Sequence, residues 1–337
     1  MYRSIAQGRP VAKANFTQSS PSGRPDSNRG PPAPKAGALT KLRYAPLFHF
    51  NITETLLALA SIRRRRVVAY EWIIDALEET WSSIERVLAP RDESAYDQAT
   101  PCPGWSVRDV LSHLIGFELM LRGGAVPVHE GPWPEHVKNP VGEFNEAFVE
   151  SYRSTPGAEL LALFRTTTAD SLDALRALSD EAWEKVGWSP EGERPYFRFQ
   201  ETRVLDSWIH LQDIRDALLE PADDHGPGEE IVVNRFESAL PFVFGKRANA
   251  SDGTLVQINL TGRLARTVLL SVEDGRARAL SSSDGAPDLE LTTAVALFWR
   301  RCAGRISSEA FLRASATDVR GDETLARALA EGLAIMI

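Results

Sequence analysis

Two of the six histidines in this chain lie on helical patterns, and one of them has an aspartate four residues away. His113 follows Val110 by three residues and precedes Phe117 by four, so it lies at or beside the apolar stripe of its helix. Asp206 and His210 are spaced so that their side chains project together from one helix face. Two imidazoles and a carboxylate suit a catalytic zinc with an open position, and they also suit iron, nickel or manganese. The sequence therefore predicts a metal site at His113, Asp206 and His210.

The same residues also have an ordinary structural interpretation. A buried histidine is often a hydrogen-bonded core residue, and an aspartate four residues before a histidine is often only an ion pair. However, an unpartnered buried imidazole or carboxylate costs about 1–3 kcal/mol, and a cation would supply the missing partner. Asp213 continues the polar stripe one turn further on, where it either orients a ligand or is a solvated charge.

The helix that carries His113 is preceded by a cysteine, Cys102. A helix N-terminus can lower the pKa of a thiol, so Cys102 is a candidate nucleophile. A structural role in the rigid Pro-Cys-Pro-Gly-Trp segment at 101–105 fits its neighbours better.

Periodic apolar positions predict the helices that must hold these side chains. Ser106 is expected to cap the helix of His113, with Asp109 as its acidic partner in a capping box. Sizeable loops are expected at 125–140 and 183–196. The predicted helices are 67–88, 106–122, 141–153, 157–179 and 201–219, with a shorter bridging helix at 229–245. Long amphipathic helices in this order favour a four-helix bundle over 67–245.

After residue 249 the pattern changes to alternating apolar and polar residues. The predicted strands are 254–260, 266–272, 276–281 and 288–291, and the predicted helices are 292–302 and 322–334. The segment 250–337 is therefore expected to form a small α+β domain.

The first 66 residues differ in composition from the rest. They carry a net charge of +10, whereas the remainder carries −18, and they are rich in Pro, Gly and Ser. Such a segment cannot bury enough apolar surface to offset its ordering entropy, so we expect a disordered basic tail. It could be a nucleic-acid or membrane arm, a targeting peptide, or upstream sequence read from a start site placed too early, with the true start near Val67 or Val68.

Composition excludes several classes of protein. The net charge of −8 argues against bulk nucleic-acid binding, and no apolar run reaches the roughly 18 residues of a membrane span. Two cysteines exclude a disulfide framework and are typical of a reducing cytoplasm. We therefore expect a cytoplasmic protein with no nucleic-acid or membrane partner, for which a monomeric state is compatible with the sequence.

Two long motifs resemble those of a known family. They are residues 100–114, TPCPGWSVRDVLSHL, and 203–218, RVLDSWIHLQDIRDAL. Both are similar to signatures of the mycothiol-dependent maleylpyruvate isomerase family. The resemblance implies a DinB-like four-helix bundle followed by a sterol-carrier-like α+β domain, over about 67–337.

The resemblance also implies a function. It assigns a divalent metal, zinc above all, to His113, Asp206 and His210, with Asp206 standing where the family's isomerase has a glutamate. It implies mycothiol as thiol cofactor, with Asp213 and Arg305 as candidate cofactor-binding residues. The reaction would be isomerisation or S-transfer on a small electrophilic substrate.

Other functions remain open from the residues alone. A non-catalytic DinB-like metal-binding or stress module would keep the same bundle. A metal-dependent hydrolase would use the same ligands with bound water as nucleophile. Arg300, Arg301 or Arg320 could bind an acidic substrate in place of Arg305.

Overall fold

The computed structural model describes residues 70–189 and 192–336. The predicted tail at 1–66 lies outside the described residues. The first part of the chain consists of α1 (Glu71–Leu88), α2 (Glu93–Tyr96), α3 (Val107–Leu121), α4 (Pro140–Tyr152), α5 (Gly157–Arg176), α6 (Asp180–Glu184), β1 (Val186–Ser189), β2 (Gly192–Pro195) and α7 (Tyr196–Ala217).

The long helices α1, α3, α5 and α7 pack around one hydrophobic core, as the sequence predicts. On α1 the fully buried side chains include Ile73, Leu77 and Ile84, which recur at helical spacing. Burying each such side chain stabilises the fold by about 1.5–3 kcal/mol. The core therefore fixes which faces of α3 and α7 point inward.

The start of α3 is set by the predicted capping box. The Ser106 hydroxyl accepts a hydrogen bond from the Asp109 backbone N–H, and the Asp109 carboxylate accepts one from the Ser106 backbone N–H at 2.9 Å. Just before it, Gly104 has a φ of +81°, a conformation that favours glycine. The 101–105 segment thereby turns sharply into the helix and brings Trp105 over its first turns.

The prediction of a loop over 183–196 is wrong in part. It contains the short antiparallel hairpin β1–β2, in which Trp188 pairs with Glu193. Strands of four residues are too short to show an alternating pattern. Helix α7 also begins at Tyr196 rather than near residue 201, because aromatic residues in its first turn pack on the bundle.

The second part of the chain is an α+β domain, as predicted. After α8 (Pro227–Phe242) and a π-helical turn (Val243–Arg247) come β3 (Leu255–Thr261), β4 (Arg266–Glu273), β5 (Arg276–Leu280), β6 (Leu289–Ala294), α9 (Val295–Cys302), α10 (Ser308–Arg313), β7 (Thr317–Gly321) and α11 (Glu323–Gly332). The sheet order is β5-β4-β3-β6-β7, and only the β3–β6 pair is parallel within the described chain.

Two details of this domain differ from the prediction. Residues 292–294 belong to β6 rather than to the following helix, because they continue the ladder with β3. The elements α10 and β7 were not predicted. Strand β7 lies at the sheet edge and is largely exposed, so its residues carry no apolar alternation.

The bundle and the sheet share helices α7 and α8. Trp208 and Ile209 of α7 belong to the second hydrophobic core, where Trp208 packs edge-on against Trp299 with ring centroids 5.0 Å apart. The bridging helix predicted at 229–245 corresponds to α8 and its π-helical turn. We propose that the domain boundary follows this turn, near 245–250. Among the described residues, no helix has the length and apolarity needed to span a membrane.

Candidate metal centre

Helices α3 and α7 bring three polar side chains together in the interior of the bundle. Nε2 of His113 lies 3.0 Å from Oδ2 of Asp206. Nε2 of His210 lies 3.6 Å from Oδ1 of the same carboxylate. One nitrogen or oxygen atom from each of the three residues lies within 4.8 Å of the others.

The donor set and its spacing fit a divalent cation. With ligand bonds of about 2.0–2.1 Å, neighbouring ligands of a tetrahedral zinc are about 3.3 Å apart, which is close to both observed distances. Both histidines are 3% exposed, whereas the side chain of Asp206 is 27% exposed. The cluster is therefore formed mostly by buried groups, and Asp206 is its most exposed member.

The electrostatic surroundings keep Asp206 ionised. Burial would raise its pKa, but His113, through charge and a hydrogen bond, and the charges of His210 and Arg305 lower it to about 2. A carboxylate in this state binds a cation without first losing a proton.

His210 is oriented by a second carboxylate. Its Nδ1 lies 3.0 Å from Oδ2 of Asp213, a residue that is 2% exposed. Burial would raise the pKa of Asp213, but its hydrogen bonds with His210 and Arg305 lower it. Because an ionised carboxylate only accepts, Nδ1 carries the proton and Nε2 is left to face Asp206. This carboxylate–histidine arrangement is common behind metal ligands.

Asp213 is in turn held from the second domain. Nε and Nη2 of Arg305 each donate to one of its oxygens at 2.7 Å, in a bidentate pair. Gly304, with a φ of +73°, ends α9 in a Schellman-type turn in which the Arg305 N–H reaches the Arg300 carbonyl at 2.8 Å. That turn directs Arg305 back toward α7.

Trp105 covers the two histidines. Its ring centroid is 5.1 Å from that of His113 and 5.8 Å from that of His210. Its Nε1 donates to Glu146 at 2.9 Å, and this fully buried carboxylate also pairs with His136 and Arg153. Burial would raise the pKa of Glu146, but hydrogen bonds from His136 and Trp105 lower it. Trp105 is thereby fixed in place.

Cys102 forms a second group of potential ligands with His210 and Asp213. Two observations count against a cation there. Burial raises the pKa of the Cys102 thiol to about 12, and the Arg305 guanidinium already occupies both oxygens of Asp213. The group at His113, Asp206 and His210 is the better candidate, and Cys102 is poorly suited to act as a thiolate nucleophile.

All five site residues named from the sequence lie in one connected network. The rival arginines have other partners: Arg300 packs on Trp299, Arg301 donates to backbone carbonyls, and Arg320 pairs with Asp318. Trp105 and Glu146 were missed as supporting residues. Trp105 lies within the motif at 100–114, which could have indicated its role. Nothing in the sequence pattern of α4 marks Glu146 as buried.

The fold and this cluster define a class: a four-helix bundle with an interior His–Asp–His cluster, followed by a small α+β domain. Residues 77–215 match the family described as "Mycothiol maleylpyruvate isomerase N-terminal domain". The match covers the helical domain, which carries both motifs from which the resemblance was predicted.

One solved structure supports the fold. The crystal structure of the mycothiol-dependent maleylpyruvate isomerase is similar to this chain with a TM-score of 0.50 and 16% identity, over 74% of this chain and 92% of that one. At this identity the likeness shows the fold alone, and it confirms the predicted fold class. No curated protein matches the sequence closely enough to count as a relative.

Two weaker likenesses add nothing to the fold argument. A histidine-to-alanine mutant of the same isomerase matches with a TM-score of 0.47 and 17% identity, over 70% of this chain and 90% of that one. The protein titled "UbiJ-SCP2 Ubiquinone synthesis protein" matches with a TM-score of 0.25 and 13% identity, over 31% of this chain and 95% of that one.

Proposed function

We propose that this protein is a metal-dependent enzyme that uses mycothiol for isomerisation or S-transfer on a small electrophilic substrate. The observation that carries the proposal is the convergence of His113, Asp206 and His210 within 4.8 Å on the inner faces of two bundle helices. The match of residues 77–215 to a mycothiol isomerase family supports the choice of thiol.

In this proposal His113, Asp206 and His210 hold one divalent cation, with zinc as the first choice. The bound cation would stabilise a thiol sulfur as thiolate at neutral pH. In this proposal a thiol would approach the ligands from the side of Asp206, whose side chain is 27% exposed. Trp105, fixed by Glu146, packs over both imidazoles and keeps water from that side.

Mycothiol would supply the nucleophile: its sulfur would add to one carbon of an activated double bond, the resulting carbon–carbon single bond would rotate, and elimination of the thiol would restore the double bond in the other geometry. The chain therefore need not provide a nucleophile of its own, which agrees with the raised pKa of Cys102. Asp213 holds His210 in the orientation that leaves its Nε2 free, and Arg305 holds Asp213. We keep Asp213 and Arg305 as proposed cofactor-binding residues, and their observed contacts give them an orienting role as well.

The experiment is a turnover assay of the zinc-loaded full chain on maleylpyruvate and on a panel of activated alkenes, with and without mycothiol. We expect conversion only with mycothiol, and loss of at least 100-fold in His113→Ala. His225→Ala is the control, since His225 is exposed and pairs with its neighbour Asp224, away from the candidate ligands. Equal turnover without thiol would support a hydrolase, and no turnover in a chain with bound zinc would support a non-catalytic module; either result contradicts the proposal.

A further inference from the structure

A separate group of aromatic side chains lies beside the candidate metal centre. It consists of Phe117, Phe144, Phe148, Trp188 and Phe199, which we call the aromatic cluster. Phe117 lies 6.2 Å from Phe199 and 6.3 Å from Phe144 between ring centroids, and Trp188 lies 6.3 Å from Phe199. Phe148 and Phe199 are buried, yet they belong to neither hydrophobic core of the described chain. The cluster therefore lies beside the main core of the bundle and is joined to it through Tyr196, whose ring centroid is 6.0 Å from that of Phe199.

The cluster is joined to the metal centre through both ligand-bearing helices. Phe117 follows His113 by one turn of α3, and their ring centroids are 6.3 Å apart. Phe199 precedes Asp206 by seven residues, which places both on the same face of α7. An apolar group that reached the metal centre would therefore meet these two rings next.

The cluster extends from the buried centre to the surface. Phe199 is 4% exposed, Phe117 and Phe144 are partly buried, and Trp188 on β1 is 70% exposed. Phe148 is seated where α4 approaches α3 closely, since a Cβ on Gly116 would lie 2.3 Å from its ring. The aromatic cluster thus reaches solvent at Trp188, where a ligand could pack against it.

The charges around the cluster are already paired. Arg203, one turn after Phe199 on α7, is buried and makes a bidentate pair with Glu118. On the other side of the metal centre, all three guanidinium nitrogens of Arg305 bond to Asp213 or to the Ala303 carbonyl. Each guanidinium charge is therefore already balanced by a buried carboxylate of the protein.

We propose that the electrophilic substrate carries an uncharged, planar aromatic or conjugated group that packs against the aromatic cluster, with its reactive carbon toward His113. The site is thereby matched to an aromatic enone or a related neutral electrophile rather than to a small dicarboxylate. This inference rests on the proposed function for the identity of the reaction, but the binding surface itself does not depend on turnover.

The first experiment measures binding without chemistry. The zinc-loaded full chain is titrated with 4-phenylbutan-2-one, which lacks a reactive double bond, and with glutarate as a dicarboxylate of similar length. We expect the ketone to bind at least tenfold more tightly than glutarate and to change the emission of Trp188. Trp188→Ala should weaken ketone binding at least fivefold, as should Phe117→Leu.

The control is Trp72→Ala, which removes another exposed tryptophan of the bundle outside the cluster and should leave ketone binding unchanged. Far-UV circular dichroism and zinc content establish that each variant is folded and loaded. Tighter binding of glutarate, or ketone binding unaffected by both cluster variants, would overturn the proposal.

The second experiment separates this inference from the proposed function. Mycothiol-dependent turnover is measured with 4-phenylbut-3-en-2-one and with maleylpyruvate. If maleylpyruvate is turned over and the enone is neither bound nor converted, the proposed function stands and the aromatic substrate class is wrong. If the ketone binds at the cluster and no substrate is turned over with mycothiol, the aromatic surface stands and the thiol chemistry is wrong.

Discussion

The carboxylate of Asp206 lies 3.0 Å from Nε2 of His113, across 93 residues of sequence. This contact joins α3 and α7 in the interior of the bundle, and the same carboxylate also faces His210. The three donors are therefore held together by the packing of the helices, so that a cation would find its ligands already close to the required spacing.

Replacing Asp213 with Asn should loosen His210 without removing a proposed ligand. The amide cannot accept from both His210 and Arg305 as the carboxylate does, so the orientation of the imidazole is weakened. We expect zinc affinity to fall by about 10–100-fold, measured by competition with a chromophoric chelator. The matched control is Asp216→Asn on the same helix, which loses only a partly exposed contact with Arg300 and should keep its affinity. Unchanged affinity in Asp213→Asn would show that this carboxylate does not support the site.

Replacing Cys102 with Ser should leave the metal in place. The thiol is buried with a pKa of about 12, and its potential partner Asp213 is taken by Arg305. We expect equal zinc content in the variant and the parent chain. The cobalt-substituted parent should lack a sulfur-to-cobalt charge-transfer band until a thiol is added. If the protein alone shows such a band and Cys102→Ser loses it, the metal is bound by the group of Cys102, His210 and Asp213 instead.

Replacing Gly104 with Ala should destabilise the chain more than the same change at Gly123. Both glycines have a positive φ, so an alanine costs about 1–2 kcal/mol at each. At Gly104 the new Cβ would also lie 2.3 Å from the ring of His136, whereas at Gly123 nothing lies within 4 Å. The extra overpacking costs about 1–3 kcal/mol. Thermal unfolding compares the stability of the two variants. Equal losses of stability would mean that the His136 side chain moves aside without a free-energy cost.

Replacing Glu118 with Gln should cost about 3–5 kcal/mol of unfolding free energy, because it leaves the buried Arg203 charge without its counter-charge. Denaturant unfolding provides the measurement. The double change Glu118→Leu with Arg203→Met should cost less than the single change, since no charge stays buried. Glu309→Gln, which touches an exposed pair with Arg313, is the control and should change stability little. If Glu118→Gln were as stable as the parent chain, the buried ion pair of Glu118 and Arg203 would not contribute to stability as predicted.

The sequence was sufficient to predict the fold class because its long helices carry strong periodic patterns. The capping box at Ser106 and the His113, Asp206 and His210 stripes could also be read from spacing, since residues four apart share a helix face. The β1–β2 hairpin and β7 could not, because short or edge strands bury too little on one face to leave an alternating pattern.

Contacts between distant segments account for what the sequence did not reveal about the site. The bond from Trp105 to Glu146 spans 41 residues, and the pair of Asp213 with Arg305 spans 92. Spacing along one helix carries no information on such contacts. Family resemblance suggested Arg305 as a site residue, but only the structure shows that its guanidinium is bound to Asp213.

The most direct test of the proposed metal centre is the metal content of the full chain, purified without chelator and measured by elemental analysis beside His210→Ala and the control His225→Ala. We predict about one divalent metal ion per chain in the parent and in the control, and its loss from His210→Ala with the helical circular dichroism signal retained. Absence of metal from the parent even after reconstitution, or full retention in folded His210→Ala, would contradict the metal centre.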